Sequence, residues 1–327
     1  MRSRWLQNLA HLQLPLVMAG IFWAIAVVLW QATGRTFYLY NFGYIGAALG
    51  IGIGAYSALP KRQKPWGRRL AQFLVGAYML VFLGLLQHEN MQLEGFFFYL
   101  LAGWFAGSVI HYVVAKVAGP LVFNRGWCGW ACWTAMVLDL LPYRRNKQGR
   151  LAPRWGYVRY GHFALSLGLV LSLWWGLGYR VQDQSTVELY WLLGGNLLYY
   201  VAGIALAYGL QDNRAFCKYG CPIPTLQKAT SRFALLKIAG DPEKCNRCGA
   251  CAKVCPMDIR VPEYILDGQR VLSTECILCL ECVNACPKGA LGLSFRPDSG
   301  HLELLRTRGT GSKSGLKGTL TRTDTGD

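Results

Sequence analysis

The chain has 327 residues, 53% of them hydrophobic and only 16% charged, with 34 Lys and Arg against 17 Asp and Glu for a formal charge of +17 at pH 7. A soluble domain is nearer a quarter charged, so a purely cytosolic globular enzyme does not fit. Nucleic-acid binding does not fit either, because the basic residues fall between long uncharged stretches instead of clustering on a soluble surface.

A bilayer core of about 30 Å takes about 20 apolar helical residues. No Asp, Glu, Lys or Arg stands between Arg4 and Arg35, Thr36 and Pro60, Leu70 and Gln87, Gly95 and Ala115, Tyr160 and Tyr179, or Leu189 and Gln211. These stretches predict six transmembrane helices. The first is too long for the apolar core of a secretory signal and lacks a small-residue cleavage site, so it reads as an uncleaved span. Basic residues gather before span one (Arg2, Arg4), between spans two and three (Lys61 to Arg69) and between four and five (Lys116 to Arg159), while the alternate loops hold only Arg35 and Arg180. By the positive-inside rule both termini and every cysteine are cytoplasmic. His88, Glu89, Glu94, Asp183 and Glu188 then read as solvated outer-loop residues.

Twelve cysteines on a reducing side point to metal ligation instead of structural disulfides. Four of them form a repeat. Asn124-Arg125-Gly126-Trp127-Cys128-Gly129-Trp130-Ala131-Cys132, after span four, lies in register with Asn213-Arg214-Ala215-Phe216-Cys217-Lys218-Tyr219-Gly220-Cys221, after span six. Residues four apart share a helical face, so each pair can present two thiolates, and the two pairs together four. Arg125 and Arg214 would offset thiolate charge or bind lipid phosphate. A third 4Fe-4S cluster, a copper or other soft-metal site, redox-active thiols and a purely structural repeat are the readings this pattern allows.

The remaining eight cysteines carry one motif twice: Cys245-x2-Cys248-x2-Cys251-x3-Cys255-Pro256 and Cys276-x2-Cys279-x2-Cys282-x3-Cys286-Pro287. This is the bacterial run for two 4Fe-4S clusters, in which the fourth cysteine of each copy crosses to the other cluster. Cluster I is assigned to Cys245, Cys248, Cys251 and Cys286, and cluster II to Cys276, Cys279, Cys282 and Cys255. Zinc ribbons use CxxC pairs at other spacings. A short hairpin is expected around Asp267-Gly268 within an α+β ferredoxin fold. The expected organisation is a membrane domain over 1–235, a two-cluster ferredoxin domain over 236–295 and a disordered tail over 296–327.

Residues 95–295 resemble the membrane polyferredoxin family that includes NapH, NosR and CcoG, which combines several spans, two membrane-proximal Cys-x3-Cys-Pro motifs and a C-terminal two-cluster ferredoxin. Cys217-x3-Cys221-Pro222 follows the family form, whereas Trp133 stands where a proline would follow Cys132. The short outer loops leave no room for an extra outer domain, so the layout is closest to NapH with two added spans. The resemblance implies a protein of the bacterial inner membrane that passes electrons between quinone and a redox-protein partner, in the manner of a quinol dehydrogenase subunit. Quinol oxidation releases protons, which makes His111, His162 and Asp139 the candidate quinone-site residues. Haem held by both histidines is a less favoured alternative. A cluster-dependent copper reductase and a redox-sensing assembly or regulatory factor are the competing functional classes.

Overall fold

The computed structural model describes residues 2–105, 107–180, 185–300 and 302–308, with side chains from residue 13 onward. Helices α1 (Arg2–Thr33), α2 (Phe37–Ala58) and α3 (Lys64–Leu86) pack side by side, followed by α4 (Leu93–Leu101) and α5 (Ser108–Phe123). Then come α6 (Gly126–Trp130), α7 (Trp133–Leu138), α8 (Val158–Leu171, prolonged by a wider turn over Ser172–Gly176), α9 (Thr186–Leu210), α10 (Ala215–Tyr219) and α11 (Ile223–Ser231). The C-terminal part holds β1 (Leu236–Gly240), α12 (Ala250–Val254), α13 (Val261–Leu266), α14 (Glu281–Ala285) and β2 (Leu291–Phe295).

Among the described residues, three helices are long and apolar enough to cross a membrane: Gln13–Thr33 within α1, α3 and α9. Their outer faces carry large exposed apolar side chains such as Val81 on α3 and Leu197, Leu198 and Val201 on α9. Surfaces of that extent require a non-aqueous neighbour. The second expected span is helical as α2, in which tyrosines and Asn41 as well as glycines lower the hydropathy. Those glycines wedge it between α1 and α3: a Cβ at Gly52 would lie 2.3 Å from Ala71 Cβ. Close approach through small residues is how helices pack where water supplies no hydrophobic drive. The fourth expected span is not one helix. It breaks between α4 and α5, where Gly103 (φ 71°) and Gly107 (φ 48°) take left-handed backbone.

The outer-loop reading of the acids is overturned. Glu188 is fully buried, taking hydrogen bonds from Asn90 Nδ2 and the Tyr179 hydroxyl, each at 2.9 Å. Glu89 is buried as well, and Glu94 accepts from Ser166 Oγ at 2.6 Å. Polar partners on neighbouring segments turn these carboxylates inward; Asp183 lies outside the described residues.

No hairpin forms at Asp267-Gly268. Pro262 starts α13 there, since proline suits a first helical turn, and Gly268 (φ 66°) turns the chain after it. The sheet is instead β1 paired antiparallel with β2, from Leu236 opposite Phe295 to Gly240 opposite Leu291. Residues 296–300 and 302–308 are not a free tail. Asp298 pairs with Lys237 and with Arg270, and Glu303 accepts from the Thr274 backbone N–H at 2.9 Å. Ile259 bridges Leu305 and Arg150 bridges Thr307, so this strap closes over the module. Residues 309–327 lie outside the described residues.

Candidate metal centres

The two cysteine motifs fold as copies of one shape, offset by 31 residues. Left-handed backbone recurs at Arg247 and Leu278, at Gly249 and Leu280, and at Asp258 and Gly289. Such positions cost energy for residues other than glycine and concentrate at functional sites. Backbone that alternates between right- and left-handed residues forms concavities of N–H groups that suit an anion. After the last cysteine of each copy, an N–H four residues on donates to sulfur: Ile259 N–H to Cys255 Sγ at 3.4 Å and Ala290 N–H to Cys286 Sγ at 3.3 Å.

The copies frame two small cavities of about 20 Å³ each. One is lined by Cys245, Cys248, Cys251 and Cys286, the other by Cys276, Cys279, Cys282 and Cys255, so each draws three thiols from one copy and one from the other. Among the described residues no three His, Cys, Asp or Glu side chains converge closely enough for a single metal ion. Four thiols spread around a cavity, with N–H groups donating to sulfur, fit a polynuclear thiolate-bound group and not one zinc or copper ion. Burial pushes Cys251 up to about 11 and Cys276 to about 12, so at neutral pH iron must displace the proton for these sulfurs to act as thiolates.

The Cys-x3-Cys repeat is also a repeat in space. Short helices α6 and α10 each begin just after the matched arginine, and the second cysteine of each pair donates its N–H back to the matched aromatic carbonyl, Cys132 to Trp127 at 3.1 Å and Cys221 to Phe216 at 2.9 Å. Cys128, Cys132, Cys217 and Cys221 lie within electrostatic reach of one another, with Arg125, Arg214 and Lys116 around them. Arg214 Nη1 points at Cys217 Sγ from 3.9 Å. Cys128 Sγ lies 3.1 Å from Gln227 Oε1, and Gln227 Nε2 is buried without a partner. Rotating that amide presents N–H to a Cys128 thiolate, as metal ligation requires. Burial lifts Cys217 to about 11 and Cys221 well above the ordinary thiol, which makes them poor redox nucleophiles.

The two sets of thiols touch through the backbone. Arg125 N–H donates to the Cys276 carbonyl at 3.3 Å and Trp130 Nε1 to the Leu278 carbonyl at 2.8 Å. A Cβ at residue 129 would lie 2.2 Å from the Ile277 carbonyl oxygen, so only glycine permits this approach. Two acids of the ferredoxin part lock the contact. Glu275, directly before Cys276, receives Arg125 (2.9 Å), Arg150 (3.0 Å), Arg159 (2.9 Å) and Lys228 (2.8 Å). Burial alone would raise its carboxyl, but these cations hold it well below the usual range. Asp258 receives Lys218 (2.6 Å), Arg145 (3.1 Å) and Arg306 (3.1 Å). Sequence reasoning missed both acids. One signal was available: Glu275 aligns with exposed Lys244 in the first copy, so the repeat breaks there.

The three candidate proton carriers have different surroundings. His111 is buried against the Trp127 ring, 4.7 Å between centroids, with Nε2 unpartnered. His162 lines a cavity between α4, α8 and α9, its Nδ1 2.7 Å from the Gly220 carbonyl. Asp139 is gripped by Arg214 at 2.7 and 2.6 Å and by Arg68 at 2.9 Å. Burial would raise Asp139, yet Arg214 and Arg68 outweigh it and hold the carboxyl at about 2. It therefore stays ionised at neutral pH, which makes it a weak proton acceptor. Its lowered folded value means a stability contribution present above 3.8, the ordinary value, and lost as pH falls toward about 2. Asp139→Asn should cost on the order of 3 kcal/mol at pH 7 and much less at pH 2, as read by thermal melting at both pH values.

The family described as a 4Fe-4S dicluster domain matches residues 237–287. A second, described as a 4Fe-4S binding domain, matches twice, over 105–150 and 193–238, and so covers each Cys-x3-Cys pair. An uncharacterized protein of Methanocaldococcus jannaschii is 28% identical over 57% of this chain and 69% of its own length. The putative electron transport protein YccM of Escherichia coli is 29% identical over 54% of this chain and 52% of its own. The ferredoxin-type protein NapH of Escherichia coli is 27% identical over 59% and 69%. The chain thus spans about half of YccM and just over two thirds of the other two. No solved structure matches. With two four-thiol cavities and a doubled Cys-x3-Cys pair, the chain carries 4Fe-4S family domains and is similar to the NapH-like polyferredoxins, iron–sulfur proteins of the electron-transfer kind.

Proposed function

We propose that the protein is a membrane-anchored relay that carries electrons between the quinone pool and a redox protein on the cytoplasmic side. Cys245, Cys248, Cys251 and Cys286 would hold one 4Fe-4S cluster, Cys276, Cys279, Cys282 and Cys255 a second, and Cys128, Cys132, Cys217 and Cys221 a third. Bound clusters supply one-electron transfer without proton uptake. The chain's own work is to hold the thiolates, keep water out and neutralise charge. Arg125, Arg214 and Lys116 do the last at the membrane-side set. The observation that carries this reading is the contact of α6 with the Cys276–Cys279 loop, which joins the two thiol sets through hydrogen bonds of 3.3 and 2.8 Å. Six crossings, the fourth made by the interrupted pair α4 and α5, with both termini and all cysteines on the cytoplasmic face, are the proposed topology, argued from the loop charges.

The crossed ligand sets make a sharp prediction. Cys286→Ser should alter the EPR signal of the cluster held by Cys245, Cys248 and Cys251, although it lies in the second motif, while Cys255→Ser should alter the other. Pairing each phenotype with Cys248→Ser and Cys279→Ser assigns the signals. For the function itself, anaerobic addition of a quinol to the purified full chain should bleach its iron–sulfur absorbance. Failure to bleach, with clusters that dithionite reduces, contradicts the quinone reading.

A further inference from the structure

We infer that the cavity between α4, α8 and α9 binds the headgroup of a lipid-soluble quinol, with His162 and Glu94 accepting its two hydroxyl hydrogens. The inference rests on the quinone reading above and places its site. The cavity has a volume of about 410 Å³, within the range for small-molecule pockets. Leu169 and Leu198 line it and are themselves exposed, so it opens toward the hydrocarbon face through which such a substrate arrives.

Its polar groups suit a hydroquinone. A carbonyl oxygen only accepts, so the 2.7 Å contact between His162 Nδ1 and Gly220 O places the ring hydrogen on Nδ1 and leaves Nε2 as the acceptor. Ser166 lies one helical turn from His162 on α8 and donates to Glu94 Oε1 at 2.6 Å, which fixes that carboxylate on the same side. Tyr199 completes the wall. It is 5% exposed, its hydroxyl has no partner, and its ring meets the His162 ring edge-on at 5.6 Å. Gly220, the carbonyl that orients His162, directly precedes Cys221.

Oxidation of a quinol breaks two O–H bonds and releases two electrons and two protons. One proton goes to His162 Nε2 and one to the Glu94 carboxylate; the electrons go singly to one-electron acceptors of the iron–sulfur class. A larger apolar groove runs along α1, α2 and α5, but no acid, histidine, lysine or arginine lines it. A quinol there would have no side chain to take its protons.

The test is equilibrium binding of a radiolabelled quinol analogue to the detergent-solubilised full chain, with iron content measured alongside. His162→Gln and Glu94→Gln should each weaken binding about tenfold with iron unchanged. Tyr199→Phe, which removes only the orphan hydroxyl, should weaken it by a smaller factor and guards against misfolding of the other two. Ala118→Phe, which narrows the apolar groove, should bind as wild type. Wild-type affinity in all three cavity variants, or loss in Ala118→Phe alone, overturns this site while leaving the quinone reading intact. A wild-type protein that binds no quinol overturns the functional reading itself.

Discussion

Glu275→Ala is expected to release the ferredoxin part from the helical domain. The substitution leaves Arg125, Arg150, Arg159 and Lys228 converging on an empty position, and the first three are buried. Breaking one buried ion pair by deleting a partner costs on the order of 3–5 kcal/mol, because the surviving charge stays desolvated. Here one deletion strands several cations, so the effect should sit at or above the top of that range. Limited proteolysis should free the C-terminal segment from the variant and not from wild type, and the thermal midpoint should fall. Glu275→Gln keeps the shape and one acceptor but not the charge, and should fall between the two. A variant with wild-type protection would show that the cations find other partners.

Cys128→Ser and Cys217→Ser form the second large prediction. Each cysteine sits in a different copy of the repeat, yet all four thiols lie within reach of one another. If they hold one group, either substitution alone should remove the whole of it, a loss of about four irons per chain. Iron and acid-labile sulfide should drop equally in the two variants while the EPR signals of the two ferredoxin clusters persist. Unequal losses would mean that the pairs bind separately.

What could be read from the sequence was local. The eight ferredoxin cysteines announce a two-cluster motif because their spacings are short, and Asn124 to Cys132 against Asn213 to Cys221 is visible as a repeat for the same reason. The docking acids were not legible, because Glu275 draws its partners from separations of 47 to 150 residues. Charge counting assigned Arg145, Arg150 and Arg159 to membrane topology, and Arg125 to thiolate charge or lipid phosphate as well. In the fold, each of them also grips an acid of the ferredoxin part. Hydropathy misjudged single residues in the same way. It read the stretch 95–115 as one span, where left-handed glycines break the helix, and it sent Glu188 to solvent, where Asn90 and Tyr179 hold it inside. Burial of a charge depends on partners that a window of neighbouring residues does not contain.

On the proposed reading, twelve cysteines hold three clusters in one connected set. Iron and acid-labile sulfide measured on the anaerobically purified full chain, with an EPR-monitored redox titration of the same sample, test it most directly. About twelve irons per chain and three one-electron transitions, with magnetic interaction between neighbouring clusters, are the expected result. About eight irons and two transitions would contradict it and leave the membrane-side cysteines without a cluster.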